Sequence, residues 1–116
     1  MQNSKIKKKI ITLIGPTACN KTSTAVHLIK KFPISIIGVD SVQIYKRFNI
    51  GSAKPPKEIL EKYKHHLVDS VDPENIFSVK NFYDQAFRIV KQAHSNNTIP
   101  LLVGGTMMYF NALFKG

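Results

Sequence analysis

The chain has 116 residues, enough for one small domain, and 43% of them are hydrophobic while 21% are charged. This balance excludes intrinsically disordered and fibrous proteins. No apolar run approaches the ~20 residues that a membrane-spanning helix needs, and Gly15-Pro16 interrupts the apolar stretch after the basic N-terminus, so no signal peptide is predicted. The one cysteine, Cys19, excludes an internal disulfide and favours a cytoplasmic location.

The net charge of +10 has two interpretations. A strongly basic domain is typical of proteins that bind polyanions such as nucleic acids. However, 15 of the 17 basic residues are lysine, and lysine shares A/T-rich codons with isoleucine and asparagine, which are also abundant. Charge alone therefore leaves nucleic-acid binding and genome composition as open alternatives.

Apolar periodicity predicts alternating strands and helices along the chain. The predicted strands cover 10–14, 34–39, 66–69 and 99–103. The predicted helices run from about Lys21 to Pro33, over 57–63, from the cap Ser78 to about residue 94, and over 107–114. Strands that alternate with crossover helices indicate an α/β fold with a parallel sheet, whose functional residues lie at the carboxyl ends of the strands.

The same periodicity predicts which side chains pack. Ala25, Leu28, Ile29 and Phe32 form the apolar face of the first helix. Seven residues form that of the third: Val79, Phe82, Tyr83, Ala86, Ile89, Val90 and Ala93. Asn96 and Asn97 end this helix, since asparagine tolerates the left-handed conformation, and Met107 and Met108 are expected in the core.

The segment GPTACNKT, residues 15–22, matches the phosphate-loop pattern G-x-x-x-x-G-K-[ST] at every fixed position but one. It lies between a predicted strand and a predicted helix, as the motif requires. Backbone N–H groups and the helix dipole would bind the anion, with Lys21 on the outer phosphates and Thr22 on Mg²⁺. The motif predicts a P-loop nucleoside-triphosphate-hydrolase-like domain; an ordinary strand-to-helix turn is the alternative.

Asn20 occupies the position of the second glycine of the motif. Asparagine replaces glycine best where φ is positive, at about 1–2 kcal/mol for the left-handed conformation. Its side chain would also crowd a bound diphosphate. The substitution is therefore expected to weaken phosphate binding without abolishing it.

Two further strand ends carry candidate chemistry. Asp40 follows the second strand and could hold Mg²⁺ or accept a proton, or could simply cap a turn. The 99–103 strand runs into Gly104-Gly105-Thr106, where nucleoside triphosphatases usually place an aspartate. A glycine pair and a hydroxyl suit close approach to a leaving-group oxygen, although Thr106 could instead be a helix cap.

The remaining polar clusters are interpreted as structural. His65 and His66 are adjacent on a predicted strand and so point to opposite faces, which makes them a poor metal pair. The run KIKKK belongs to a basic flank over residues 1–9, and the domain proper is expected over 10–116.

Together these segments resemble the tRNA dimethylallyltransferase (tRNA isopentenyltransferase) family. The matching segments, in order, are GPTACNKT, VDSVQIYKRFNIGSAKP, HHLVD, FSVKNFYDQA and IPLLVGGTMMYFNALFKG. The resemblance implies transfer of a dimethylallyl group from dimethylallyl diphosphate to N6 of the adenosine beside the tRNA anticodon, with Mg²⁺ as cofactor. The phosphate loop would then hold a diphosphate leaving group rather than ATP.

The resemblance also implies site roles by position. Asp40 would be the general base and Thr106 a second catalytic group on the diphosphate. The diphosphate-binding residues would be Gly15, Thr17, Ala18, Asn20, Lys21 and Thr22, with Thr22 also at the metal. The substrate-contacting residues would be Ser41, Gln43, Ser52, Lys54, Gly104 and Gly105, where Ser52 keeps the hydroxyl of the family's usual threonine.

The resemblance covers only the N-terminal part of the family's chain, without the helical region that grips tRNA. A truncated or split reading frame is therefore expected, with impaired or absent activity. One alternative is a non-catalytic remnant or a half that needs a second chain. Another is a small P-loop kinase, which the absence of a strand-end aspartate disfavours.

Overall fold

The computed structural model of the chain describes residues 9–15, 21–46 and 54–115. Four strands and four helices alternate in these ranges. They are β1 (Ile11–Ile14), α1 (Lys21–Lys31), β2 (Ile34–Val39), α2 (Lys57–Lys62), β3 (His65–His66), α3 (Val79–Ser95), β4 (Ile99–Gly104) and α4 (Met107–Lys115). The predicted elements are confirmed to within two residues, except at β3.

The four strands form one parallel sheet in the order β1-β4-β2-β3. β2 and β4 are central and pair over their whole lengths, from Ile34 opposite Ile99 to Val39 opposite Gly104. Both are almost entirely buried, as expected for strands covered by helices on both faces. The predicted α/β fold is confirmed, and β1 pairs on one side only among the described strands.

The larger core lies between the sheet and the pair α3 and α4. Ile37, Val39 and Leu102 from the central strands pack there with Phe82 and Phe110. The Phe82 ring stacks on the Tyr109 ring with centroids 4.2 Å apart, which joins the two helices. The predicted apolar face of α3 is confirmed at Phe82, Ala86, Val90 and Ala93, which are buried.

The opposite face of the sheet is covered by α1 and has a smaller core. Ala25 packs there against Ile34, Ile36 and Leu101, with Leu28 and Ile29 partly buried at the margin. Phe32 was expected on this face, but 51% of it is exposed. The prediction was wrong: the Phe32 N–H still donates to Leu28 O at 2.9 Å just after α1 ends at Lys31, but its side chain does not pack in this core.

Caps define the ends of α3. The Ser78 hydroxyl accepts the Asn81 N–H at 3.0 Å, and Asn81 Oδ1 accepts the Ser78 N–H at 2.9 Å, so the two residues form a capping box. At the other end Asn97 is left-handed, with φ of 60°, next to the C-cap Asn96. Both predicted boundaries are confirmed.

Two other predictions need correction. The strand expected over 66–69 is His65–His66 instead, because Leu67 and Asp69 have φ of 62° and 56° and turn the chain out of the extended conformation. Met107 and Met108, expected in the core, are 50% and 62% exposed. α4 packs through the next two residues, Tyr109 and Phe110, so the methionines fall on its outer side.

Candidate functional site

Three chain segments meet at the carboxyl edge of the sheet, where β1, β2 and β4 end. The Gly15 N–H donates to Gly104 O at 3.2 Å, and the Thr106 N–H donates to Val39 O at 3.2 Å. These backbone bonds continue the parallel ladders by one residue beyond the strands. They bring the residue after β1, the β4–α4 turn and the segment after β2 to one place, as the parallel topology predicts.

Lys21 and Thr22 lie at this edge in the first turn of α1. The Lys21 ammonium donates to Gly15 O at 2.7 Å, so its side chain folds back over the end of β1. Both residues are half-buried and line one cavity beneath the helix N-terminus. The arrangement places a cation, a hydroxyl and the positive end of a helix dipole together, which is the chemistry of an anion site.

Asp40 follows β2 directly. Its Oδ1 accepts the Val42 N–H at 2.8 Å and the Gln43 N–H at 3.0 Å, so this oxygen caps the turn after the strand. No described residue donates to the second oxygen, Oδ2. The carboxylate is thus held in one orientation by these two backbone N–H groups.

The Asp40 carboxylate also acts on the core side of the site. Burial, and then the neighbouring Tyr45 and Asp40, raise the pKa of the Tyr109 hydroxyl. Tyr109 belongs to α4, so the carboxylate lies close to the point where α4 begins.

Thr106 joins the β2 and β4 ends. Its Oγ1 accepts the Ser41 N–H at 2.9 Å and lies 3.4 Å from the Ser41 hydroxyl. Its carbonyl oxygen meanwhile accepts the Tyr109 N–H at 3.0 Å, in the first turn of α4. The side chain therefore ties the segment that carries Asp40 to the β4–α4 turn.

Two glycines allow this close approach of backbones. A Cβ at Gly104 would collide with Val39 O, and a Cβ at Gly105 would lie 2.8 Å from Gly15 O. Neither contact could be relieved by a side-chain rotation, because the other partner is backbone. The GG pair thus fits the β4 end between its two neighbouring strands.

Lys54 lies apart from these groups. Its ammonium donates to Tyr45 O at 2.7 Å and to Asp69 Oδ1 at 3.2 Å, and its side chain is only 4% exposed. Asp69 N–H in turn donates to Gln43 O at 2.9 Å. These bonds connect the turn after β3 to the turn after Asp40, so the structure shows a positioning contact for Lys54; its predicted substrate contact stays a prediction.

His65 lies at the site, although sequence analysis interpreted it as structural. Since His65 pairs with Ile36 and His66 with Ile37, the two rings lie on opposite faces, as predicted, and His65 faces α1. A cavity of about 30 Å³ is lined by His65, Lys21, Thr22 and Gln43, among others. The signal in the sequence was the HH pair, but only the β2–β3 register shows which histidine faces α1.

The hydrogen bond of the His65 ring fixes its tautomer. Nδ1 lies 2.8 Å from Tyr63 O, and a carbonyl oxygen can only accept, so Nδ1 carries the proton. Burial lowers the pKa of His65 and so favours the neutral ring, and the backbone hydrogen bond to Tyr63 offsets part of this effect. Nε2 is buried without a hydrogen-bond partner among the described residues.

Four of the predicted site residues, Thr17, Ala18, Asn20 and Ser52, lie outside the described residues. The others at the sheet edge are Gly15, Lys21, Thr22, Asp40, Ser41, Gln43, Gly104, Gly105 and Thr106. Within the described ranges there is no group of three or more His, Cys, Asp or Glu side chains that could hold a metal. None of the helices there is long and apolar enough to cross a membrane.

Comparison with known proteins identifies close relatives. The chain is 48% identical over 107 residues to a tRNA dimethylallyltransferase of Dichelobacter nodosus, covering 92% of this chain and 34% of that protein. It is also 48% identical over 112 residues to one of Ruthia magnifica, covering 97% of this chain and 37% of the relative. The chain thus spans about a third of the length of the curated relatives that it matches.

Solved structures agree with these relatives. The full-length tRNA isopentenylpyrophosphate transferase of Bacillus halodurans superposes with a TM-score of 0.84 at 41% identity, over 92% of this chain and 35% of that one. A tRNA isopentenylpyrophosphate transferase of Staphylococcus epidermidis superposes with a TM-score of 0.85 at 34% identity, over the same shares of the two chains.

The family model for IPP transferase matches residues 43–116, which is more than half of the chain. The match includes the β3 turn, α3 and the β4–α4 turn with its two glycines. By this match and by the relatives above, the chain belongs to the IPP transferase family.

Proposed function

We propose that this chain forms the part of a tRNA dimethylallyltransferase that binds the diphosphate and removes a proton from the amine. The single observation that carries the proposal is the Ser41 N–H to Thr106 Oγ1 bond of 2.9 Å, which fixes the Asp40 segment beside the β4–α4 turn. That turn lies next to Gly15 and the start of α1, so a carboxylate and an anion site share one edge of the sheet. Transfer of an allyl group from a diphosphate to an amine needs both.

The reaction proposed is a substitution at the first carbon of dimethylallyl diphosphate. The N6 amine of a tRNA adenosine beside the anticodon forms the new C–N bond, and the C–O bond to the diphosphate breaks with its electron pair leaving on oxygen. Asp40 takes the amine proton through its available oxygen Oδ2, since Oδ1 is engaged with the Val42 and Gln43 N–H groups. An exocyclic amine is a poor nucleophile, so removal of this proton promotes the step.

The leaving diphosphate is held by the α1 N-terminus, Lys21, Thr22 and the Thr106 hydroxyl. Residues Gly15, Thr17, Ala18 and Asn20 supply the loop around it. Gly104 and Gly105 allow the β4–α4 turn to approach it, and Ser41, Gln43, Ser52 and Lys54 surround the substrates.

Mg²⁺ fits this set of groups. The cation prefers oxygen ligands and is usually bound by one or two protein oxygens with substrate phosphates and waters, so it needs no cluster of acidic side chains. Thr22 would hold it, and when bound it neutralises charge on the diphosphate. We further propose that the protein acts in the cytoplasm, with tRNA as its macromolecular partner.

The relatives extend well beyond the matched region, and we propose that transfer to tRNA requires groups from that remaining length, on the same or a second chain. The test is a transfer assay with labelled dimethylallyl diphosphate and tRNA. It compares the 116-residue chain alone with the chain mixed with the remaining two thirds of the Dichelobacter nodosus relative. We expect label on tRNA only in the mixture.

A matched variant controls the assay. Asp40→Asn keeps an oxygen acceptor for the turn but removes the base, and it should abolish transfer in the mixture while leaving diphosphate binding intact. Full activity of Asp40→Asn would contradict the proposal. ATP-dependent phosphorylation of a nucleotide by the chain would replace it with a kinase function.

A further inference from the structure

The cavity beside Lys21 and Thr22 of α1 contains an unexplained acceptor. His65 Nε2 is buried, and no described residue is hydrogen-bonded to it. Because Nδ1 carries the proton for Tyr63 O, Nε2 has a lone pair and can only accept. A buried polar atom of this kind costs free energy unless a donor satisfies it, so its position calls for a donor close by.

The cavity also contains the donor that chemistry requires. Thr22 and His65 line the same cavity of about 30 Å³, which has room for one water molecule. A hydroxyl that gives a lone pair to a cation or receives a hydrogen bond still has a proton to donate elsewhere. For Thr22 that proton needs an acceptor on the side away from the ligand.

The β4 end lacks the usual acceptor for such a proton. Phosphate-loop proteins commonly have a strand-end aspartate beside the metal and its threonine or serine ligand. Here β4 ends in Gly104, which has no side chain, and Asp40 is not among the described residues that line this cavity. His65, one strand further along the sheet beyond β2, is the acceptor that shares the cavity with Thr22.

We propose that His65 is a positioning residue whose Nε2 accepts a hydrogen bond from one water in this cavity, which in turn accepts one from the Thr22 hydroxyl, and that this link orients the Thr22 oxygen toward Mg²⁺ and diphosphate. The inference rests on the proposed diphosphate site. It gives the first histidine of the HH pair a part in that site and leaves the second, His66, in the core on the other face.

The test compares two substitutions, each of which keeps the hydrogen-bonding function of only one of the two imidazole nitrogens. His65→Asn keeps a donor at the place of Nδ1 for Tyr63 O and removes the acceptor, whereas His65→Gln places an amide oxygen near the position of Nε2. His66→Asn is the matched control. Binding of inorganic diphosphate to the full chain is measured by calorimetry with and without Mg²⁺.

For His65→Asn we expect the Mg²⁺-dependent gain in diphosphate affinity to fall by about 10-fold. This is the lower end of the effects seen when a residue that orients a metal ligand is lost. Diphosphate binding without Mg²⁺ should be unchanged. His65→Gln should restore most of the gain, and His66→Asn should match wild type. An unchanged gain in His65→Asn would overturn the proposal.

A second measurement separates this inference from the proposed function. In ¹⁵N NMR spectra of the ligand-free chain, His65 should be the Nδ1–H tautomer, and its Nε2 resonance should move when Thr22→Val removes the donor. An Nε2–H tautomer, or an unmoved resonance, refutes the link. Wild type that binds no diphosphate contradicts the proposed function instead, and the NMR result still decides the role of His65.

Discussion

The two faces of the sheet differ in how tightly they are packed. Among the described residues, the face toward α3 and α4 buries ten in one cluster, including the stacked Phe82 and Tyr109 rings. The face toward α1 buries four of the described residues, and the cavity that His65 lines lies at its carboxyl end. The tightly packed face supplies stability, while the thinly packed face leaves room for groups that must meet a ligand.

Ile36 and Ile37 test this difference most directly, because they are adjacent, fully buried and point to opposite faces. Truncation of a buried isoleucine to alanine costs about 2–5 kcal/mol, depending on how well the site is packed. We expect the loss of unfolding free energy to lie at the upper end of this range for Ile37→Ala and at the lower end for Ile36→Ala, since Ile36 already borders the cavity. Urea denaturation measures both.

Diphosphate binding should reverse that order. Ile36→Ala enlarges the cavity beneath Lys21 and Thr22 and should weaken binding, whereas Ile37→Ala should leave the affinity of the folded fraction unchanged. If the two variants lost the same unfolding free energy and the same diphosphate affinity, the two faces would not be functionally distinct.

Gly104→Ala perturbs the edge that both faces share. The new Cβ would collide with the Val39 carbonyl in the neighbouring central strand, and such overpacking costs about 1–3 kcal/mol. We expect a lower urea midpoint together with loss of diphosphate binding. Normal binding by a destabilised variant would indicate that the β4–α4 turn does not contact the ligand.

Ser78→Ala should affect the tightly packed face alone. The hydroxyl caps α3 by accepting the Asn81 N–H, and loss of such a cap costs about 1 kcal/mol. Diphosphate affinity should equal that of wild type, because Ser78 lies at the start of α3, away from the α1 face. A change in affinity would show that the two faces are coupled.

The smallest expected effect is a pH dependence from the two histidines of β3. Burial lowers the pKa of His65 and of His66, and Lys64 and His65 lower that of His66 further. The unfolded chain, with histidine pKa values of about 6.5, then binds more protons in mildly acidic solution than the folded chain does. Stability should be complete above about pH 6.5 and decrease as the pH falls below it.

Urea midpoints at about pH 7.5 and pH 5.5 measure this decrease. A double variant, His65→Asn with His66→Asn, should lose less stability over the same interval than wild type does. An equal loss in the two proteins would assign the pH dependence to other groups.

Local sequence was sufficient for most of the fold. The β-branched runs, the Ser78 cap and the Asn96–Asn97 end are short-range signals, and the elements that they predicted are present. Errors occurred where tertiary packing decides. Phe32 and Met107 are apolar and occur near helix ends, and only the actual helix bounds and packing direction put them at the surface.

The sequence by itself determined the α/β class, the family, and the location of Asp40, Thr106 and the phosphate loop at strand ends, because each depends on local pattern and motif spacing. Only the tertiary structure decided which groups meet. The Ser41–Thr106 bond, the burial of the Lys54 side chain and the cavity that His65 and Thr22 both line depend on strand order and register. Parallel pairing joins residues far apart in the chain, and no local signal specifies which of two adjacent histidines will face the site.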